Sequence, residues 1–161
     1  DMTGLQTVER SDTISLAALT EEVFCDLDPV AEKHQVRLIQ TDGDCTVTGS
    51  YILLYRAVYN LVENAIKYNR PSGSVTVSIH TAESAVLEVT DTGIGISPEN
   101  QEKIFDPFYR VDKSRSRAMG GAGLGLALVS EIARQHNGQV KVTQSSEKGS
   151  TIALMLPVTL L

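Results

Sequence analysis

Apolar residues recur along this chain with two different periods, and the switching between them sets the order of elements. Leu19, Val23, Leu27, Val30 and Ala31 fall near helical spacing and predict a helix over about Ala17–His34, after a short strand at Ile14-Ser15-Leu16. Val36–Gln40 and Thr46–Thr48 read as strands around Asp42-Gly43-Asp44, a hairpin turn too short to be a calcium loop. Ser50 is placed to N-cap a helix running to about Tyr68, which Arg70-Pro71-Ser72-Gly73 ends. Val75–Ile79 and Ala85–Thr90 alternate with a period of two and predict a second hairpin. Ser97-Pro98-Glu99 offers an N-cap with Pro at the first helical position. Phe105 to Ala122 has no clean period and predicts a long loop, and loops of that length are usually functional. A helix from about Leu124 to His136 stops at Asn137-Gly138, and strands Val140–Gln144 and Thr151–Leu156 finish the chain. Helices alternating with hairpins predict an α/β fold, a two-layer α/β sandwich with a mixed sheet and helices on one face. Polar residues 1–12 read as a linker, which leaves one domain over 13–161.

Composition narrows the class. The chain has 161 residues, 42 % apolar and 21 % charged, enough for one soluble domain with a real core. Its longest apolar runs, Ile152–Val158 among them, fall well short of the roughly 18 residues a membrane span requires. The first residues lack the basic and apolar blocks of a signal peptide, and no Asn-x-Ser/Thr sequon occurs. Cys25 and Cys45 have neither CxxC nor His-pair spacing, and predict two buried or half-buried thiols in a reducing compartment rather than a metal site. The expected location is cytoplasmic, as the soluble portion of a longer protein.

Charge removes one partner class and marks one segment. Fourteen Lys+Arg against twenty Asp+Glu give a net charge of −6, a poor basis for binding nucleic acid. Residues 1–50 carry −7, whereas residues 103–117 gather Lys103, Arg110, Lys113, Arg115 and Arg117 against Asp106 and Asp112 for a local +3.

Three stretches carry candidate chemistry. In the helix Ser50–Tyr68, Leu54, Val58, Leu61, Val62 and Ala65 share one face, while Asn60, Asn64 and Lys67 lie within about 60° of each other on the opposite one. A Glu/Lys stripe there would be ordinary surface, but Asn is a poor helix former, and two at i, i+4 suggest that their amide oxygens are used. Neutral oxygen suits Mg²⁺, which binds through a few protein oxygens plus substrate phosphates. Asp91-Thr92-Gly93-Ile94-Gly95-Ile96 puts an acid at a strand end before two glycines, which alone reads as a turn. Gly120-Gly121-Ala122-Gly123-Leu124-Gly125 runs straight into a helix, a geometry that favours an anion on the first N–H groups. It matches neither the GxGxxG nor the Walker A pattern, since Leu126 stands where each needs another residue.

In order, Asn60-Leu-Val-Glu-Asn64-Ala-Ile-Lys67-Tyr68, Asp91-Thr-Gly-Ile-Gly95, Phe105-Asp-Pro-Phe108-Tyr-Arg110 and Gly121-Ala-Gly-Leu-Gly125-Leu resemble the N, G1, F and G2 boxes of the histidine-kinase catalytic domain. Lys148-Gly149-Ser150-Thr151 with Leu154-Met-Leu-Pro157 is similar to the last box, so the likeness runs from about Ile14 to Pro157. The group is GHKL, and the resemblance implies its Bergerat ATP-binding fold with a long ATP lid. It implies ATP and Mg²⁺ as cofactors, with Asp91 accepting from the adenine amino group and Thr151 supporting Asp91. Gly93, Gly95 and Ile96 would pass under the base, Asn64 would hold Mg²⁺ with Asn60 beside it, and Lys67 and Tyr68 would reach phosphate and ribose. Phe105 and Phe108 would anchor the lid, while Arg110 and the amides of Gly121, Gly123, Leu124 and Gly125 would meet the phosphates.

Asn60, the departures from the family pattern (Ser50, for instance, replaces a frequent Asp with another good N-cap) and the histidines refine the reading. ATP-hydrolysing relatives usually carry Glu where Asn60 stands, and an amide cannot take a proton from water, so transfer is expected over hydrolysis; Glu63 keeps the hydrolase alternative open. Ala122 lacks a hydroxyl common in the family, and Asn69 stands where a small hydroxyl residue is common. His34, His80 and His136 lack an acceptor context, so the phosphoacceptor is expected on a separate dimerisation domain upstream. A response regulator is then expected as partner of the full-length, membrane-anchored kinase, with the isolated domain monomeric. The alternatives are a stand-alone GHKL protein-serine kinase and a nucleotide-sensing module without transfer.

Overall fold

A computed structural model describes residues 12–106 and 125–159. Its elements run β1 (Asp12–Ser15), α1 (Leu16–Lys33), β2 (Arg37–Gln40), β3 (Thr46–Gly49), α2 (Tyr51–Lys67), β4 (Ser74–Thr81) and β5 (Ala85–Asp91). Single 3₁₀ turns follow at Pro98–Asn100 and Lys103–Phe105, then α3 (Gly125–Gln135), β6 (Gln139–Ser146) and β7 (Gly149–Leu156). Five strands form one sheet in the order β2-β4-β5-β7-β6, in which only the β2–β4 pair is parallel. A separate two-stranded sheet pairs β1 with β3.

Strand alternation decides which face is the core. Val75, Val77 and Ile79 of β4, Leu87 and Val89 of β5, and Ile152 and Leu154 of β7 are buried together with Leu61, Val62 and Ile66 of α2 and Val129 and Ile132 of α3. Helices on one face of a mixed sheet is the predicted α/β sandwich. Burying each such side chain is worth roughly 1.5–3 kcal/mol before ordering costs. Ser50 caps α2 as predicted, its hydroxyl accepting from Leu53 N at 3.3 Å. The Ser50 N–H donates to His136 Nε2 at 3.1 Å, and Nδ1 of the same buried ring meets Ile132 O at 2.8 Å, so His136 fastens the end of α3 to the start of α2. On the outer side of α2, the Tyr51 and Tyr55 hydroxyls donate to Glu22 and Asp26 of α1. Burial and then the Glu22 carboxylate push the Tyr51 hydroxyl up to about 12, which keeps it a donor.

Three expectations change. The predicted hairpin around Asp42-Gly43-Asp44 does not form: β2 pairs with β4 and β3 with β1, so this segment crosses between two sheets. Asp44 serves α1 instead, accepting from Ala17 N at 2.9 Å, the Ser15 hydroxyl at 2.8 Å and Cys45 N at 2.7 Å. The first turn of α1 has no acid of its own, so this remote carboxylate supplies the negative charge that the helix N-terminus favours. Cys25 is exposed, because helical phase sets it among Glu21, Glu22 and Asp28 on the outer side of α1; Cys45 is buried. Asp12 is the first residue of β1 rather than linker, pairs with Gly49 and accepts from Tyr51 N at 3.0 Å.

Asp44 yields a stability prediction. Burial alone would raise its pKa, but the hydrogen bonds from Ala17, Ser15 and Cys45 together outweigh that and hold it below the ordinary value. A carboxyl whose folded pKa is depressed stabilises above its unfolded pKa, and that stability is lost as pH falls through the folded value. Asp44→Ala is expected to cost roughly 0.5–2 kcal/mol, as for a lost helix cap. Thermal melts should show the gap between wild type and variant closing in acid.

Candidate nucleotide site

The site is built where β5 ends. Leu87 and Val89 point into the core, and the same alternation turns Asp91 toward the helices. One carboxylate oxygen accepts from Gly93 N at 2.8 Å and the other from the Ser150 hydroxyl at 3.0 Å. Burial raises the pKa of Asp91, and the bonds from Gly93 and Ser150 oppose the shift only in part. Among the described residues no cation pairs with this carboxylate. It retains acceptor capacity toward a polar group entering from the helix side.

The turn after Asp91 is seated on two neighbours. A Cβ on Gly93 would lie 2.3 Å from the carbonyl oxygen of Tyr68, so the turn rests directly on the end of α2. Gly95 has φ +77°, and a Cβ there would lie 2.0 Å from Ser146 O; both facts require glycine. Ile96 N donates to the Ser145 hydroxyl at 2.6 Å, which ties the turn to the β6–β7 hairpin.

α2 presents Asn60, Asn64 and Lys67 half-buried on one side, as the helical spacing predicts. Asn60 Nδ2 donates to Gly125 O at 3.5 Å, so the first residue of α3 sits beside the asparagine face. Lys67 Nζ lies 3.9 Å from Glu63, a long i, i+4 pair. Tyr68 caps α2 through its N–H to Asn64 O and is half-buried. Phe105 packs partly buried against the core next to buried Ile104. The candidates Phe108, Arg110, Gly121, Gly123 and Leu124, and the expected lid, lie outside the described residues.

One assignment moves by a single residue. Thr151 was expected to support Asp91, but its hydroxyl bonds that of Thr90 at 2.9 Å, on the far face of the sheet. Ser150 is the residue opposite Asp91 in the ladder, and it makes the bond. Strand parity would have found it: Asp91 and the buried Ile152 fall on one face, which puts Ser150 there and Thr151 on the other. Asn69 and Thr92, which carried no expectation, are hydrogen-bonded to each other at 2.9 Å behind the turn.

Residues 49–160 match the family described as "Histidine kinase-, DNA gyrase B-, and HSP90-like ATPase", and the chain belongs to that family. Among its relatives is the "Sensor-like histidine kinase SenX3" of Mycobacterium tuberculosis, 46 % identical over 123 residues, which are 74 % of this chain and 30 % of SenX3. The "Sensor histidine kinase RppB" of Synechocystis is 43 % identical over 141 residues, 87 % of this chain and 31 % of that protein. This chain therefore spans about a third of the length of these relatives. The fold is that of the solved "Mycobacterial sensor histidine kinase MprB", with a TM-score of 0.77 at 27 % identity over 94 % of this chain and 99 % of that one. No helix among the described residues is long and apolar enough to cross a membrane.

Proposed function

We propose that this domain binds Mg-ATP and presents the γ-phosphoryl group to a histidine on a separate dimerisation domain of the same sensor kinase. The observation that carries the reading is the junction of β5 and α2. There a half-buried carboxylate with no cationic partner among the described residues, Asp91, is held one turn away from the foot of the helix that presents Asn60, Asn64 and Lys67. Asp91 accepts from the adenine amino group, a polar contact that orients the base. The amide oxygen of Asn64 is a neutral ligand suited to Mg²⁺, which when bound offsets phosphate charge, and Asn60 supports it from the preceding turn. Lys67 and Tyr68 serve phosphate and ribose, and Arg110 with the amides of the Gly121–Gly125 stretch serves the phosphates.

The reaction exchanges one P–O bond for one P–N bond. A histidine nitrogen of the acceptor attacks the γ-phosphorus, ADP leaves, and the imidazole proton goes to a base on the acceptor domain. This chain contributes position and charge, which is most of what phosphoryl transfer requires. Asn60 offers no base to water, so hydrolysis stays slow. A cytoplasmic setting, where ATP is available, and a response regulator as the final phosphoryl acceptor belong to the same proposal.

The test is transfer in trans. The domain, γ-labelled ATP and the kinase's His-bearing dimerisation domain should give an acid-labile phosphoryl label on the acceptor, with little free phosphate. ATP binding without transfer would favour a nucleotide-sensing module, and an acid-stable label would favour a serine kinase. Turnover at the rate of a true ATPase would overturn the argument from Asn60.

A further inference from the structure

Asn69 follows Tyr68 at the foot of α2 and is buried. Its Oδ1 accepts from Arg70 N at 2.8 Å and from the Thr92 hydroxyl at 2.9 Å, while Nδ2 donates to Ser74 O at 2.8 Å. With its proton given to Asn69, the Thr92 oxygen accepts from Ser74 N at 2.9 Å. Three residues thus lock the end of α2, the first residue of β4 and the residue after Asp91 into one network. Gly73 closes it: a Cβ there would lie 2.2 Å from Asn69 Oδ1 and 2.5 Å from Thr92 Oγ1. A serine or threonine side chain is too short to bridge all these groups, so the asparagine does something a small hydroxyl at this position would not.

The network leads to the carboxylate in two bonds of the chain. Thr92 sets where Gly93 lies, and the Gly93 N–H holds one oxygen of Asp91. Thr92 itself is exposed, and without the Asn69 bond it would be held by Ser74 alone, through the Ser74 N–H to its hydroxyl and its own N–H to Ser74 O at 3.3 Å. We infer that Asn69 is a positioning residue for nucleotide specificity: through Thr92 and Gly93 it aims the Asp91 carboxylate at the exocyclic amino group of adenine. The inference rests on the proposed adenine contact of Asp91.

Inosine triphosphate separates aiming from general support, because it carries a carbonyl oxygen where adenine carries the amino group. A fixed carboxylate accepts from the amino group and repels that oxygen, so the wild-type domain prefers ATP. Affinities for ATP and inosine triphosphate should be measured by calorimetry on wild type, Asn69→Ala, Thr92→Val and Thr92→Ser. Asn69→Ala and Thr92→Val are each expected to reduce the ATP-over-inosine ratio about five- to tenfold, mostly by weakening ATP, since one hydrogen-bonded contact is loosened. Thr92→Ser keeps the hydroxyl and should keep the ratio. The double variant should fall no further than Thr92→Val alone, because Asn69 acts through the hydroxyl that valine already removes.

Equal weakening of both nucleotides, or an unchanged ratio, overturns the inference and leaves Asn69 a purely structural residue. Should Asn69→Ala not fold, the contrast between Thr92→Val and Thr92→Ser decides alone. A wild-type domain without preference for ATP, or an Asp91→Asn domain that keeps it, would instead sink the adenine reading itself.

Discussion

Asp91→Asn should weaken ATP binding by about ten- to a hundredfold, the range for losing a charge-assisted hydrogen bond, and should leave the ligand-free domain as stable as before or more so. Both halves follow from one feature. Burial raises the pKa of Asp91, and the donors Gly93 N and the Ser150 hydroxyl do not fully offset it. For a group whose folded pKa is raised, the stability it contributes is complete below the unfolded pKa and is lost as pH rises through the folded one. At neutral pH the ionised Asp91 therefore works against folding, and a neutral amide removes that cost. Asparagine can still accept from Gly93 N, and Ser150 can turn its lone pair to the new NH₂. What it cannot supply is the anion that the proposed adenine contact uses.

Two measurements check this. Titration with a fluorescent ATP analogue should show the lost affinity, and thermal melts without nucleotide should show a midpoint no lower than wild type. The wild-type affinity should also drop as pH falls through the raised pKa of Asp91, while the variant stays flat in that range. Unchanged affinity in Asp91→Asn would remove the adenine assignment.

The parts of the fold that local pattern reveals are those whose partners are near in sequence. α2 was legible from its apolar period and from Ser50, because cap and helix are adjacent. The β4–β5 and β6–β7 hairpins were legible for the same reason. β2 and β3 looked like a third hairpin, yet nothing local distinguishes paired neighbours from two strands that each pair elsewhere. Asp44 then seemed a turn residue, although its work is at the start of α1.

The site divides along the same line. Asn60, Asn64 and Lys67 stood out because polar residues at helical spacing declare a face without any partner. Ser150 was missed for Thr151 because parity in β7 acquires meaning only against β5. Asn69, just past the end of α2, carried no local signal of its role. It is buried where Ser74, just past the turn, and Thr92, far along the chain, close hydrogen bonds around it.

Asn64→Ala should reduce transfer to the acceptor histidine by about a hundredfold or more at saturating ATP, since misplacing a reacting group even slightly carries a cost of that order. On the proposed reading, the Asn64 amide oxygen holds Mg²⁺ against the triphosphate, so its loss falls on the reaction more than on binding of the base. The structure makes the control favourable. Asn64 sits half-buried inside α2, and alanine is the better helix former by several tenths of a kcal/mol. Asn64→Ala should therefore melt no lower than wild type, which separates lost chemistry from lost fold. Affinity for free adenosine should stay near wild type, because Asp91 and its supports are untouched. Labelled-phosphate transfer, followed while Mg²⁺ is titrated, should demand more cation in the variant and still fall short at saturation. A loss of less than about threefold, with the fold intact, would mean that α2 presents Asn64 to something other than the phosphoryl centre.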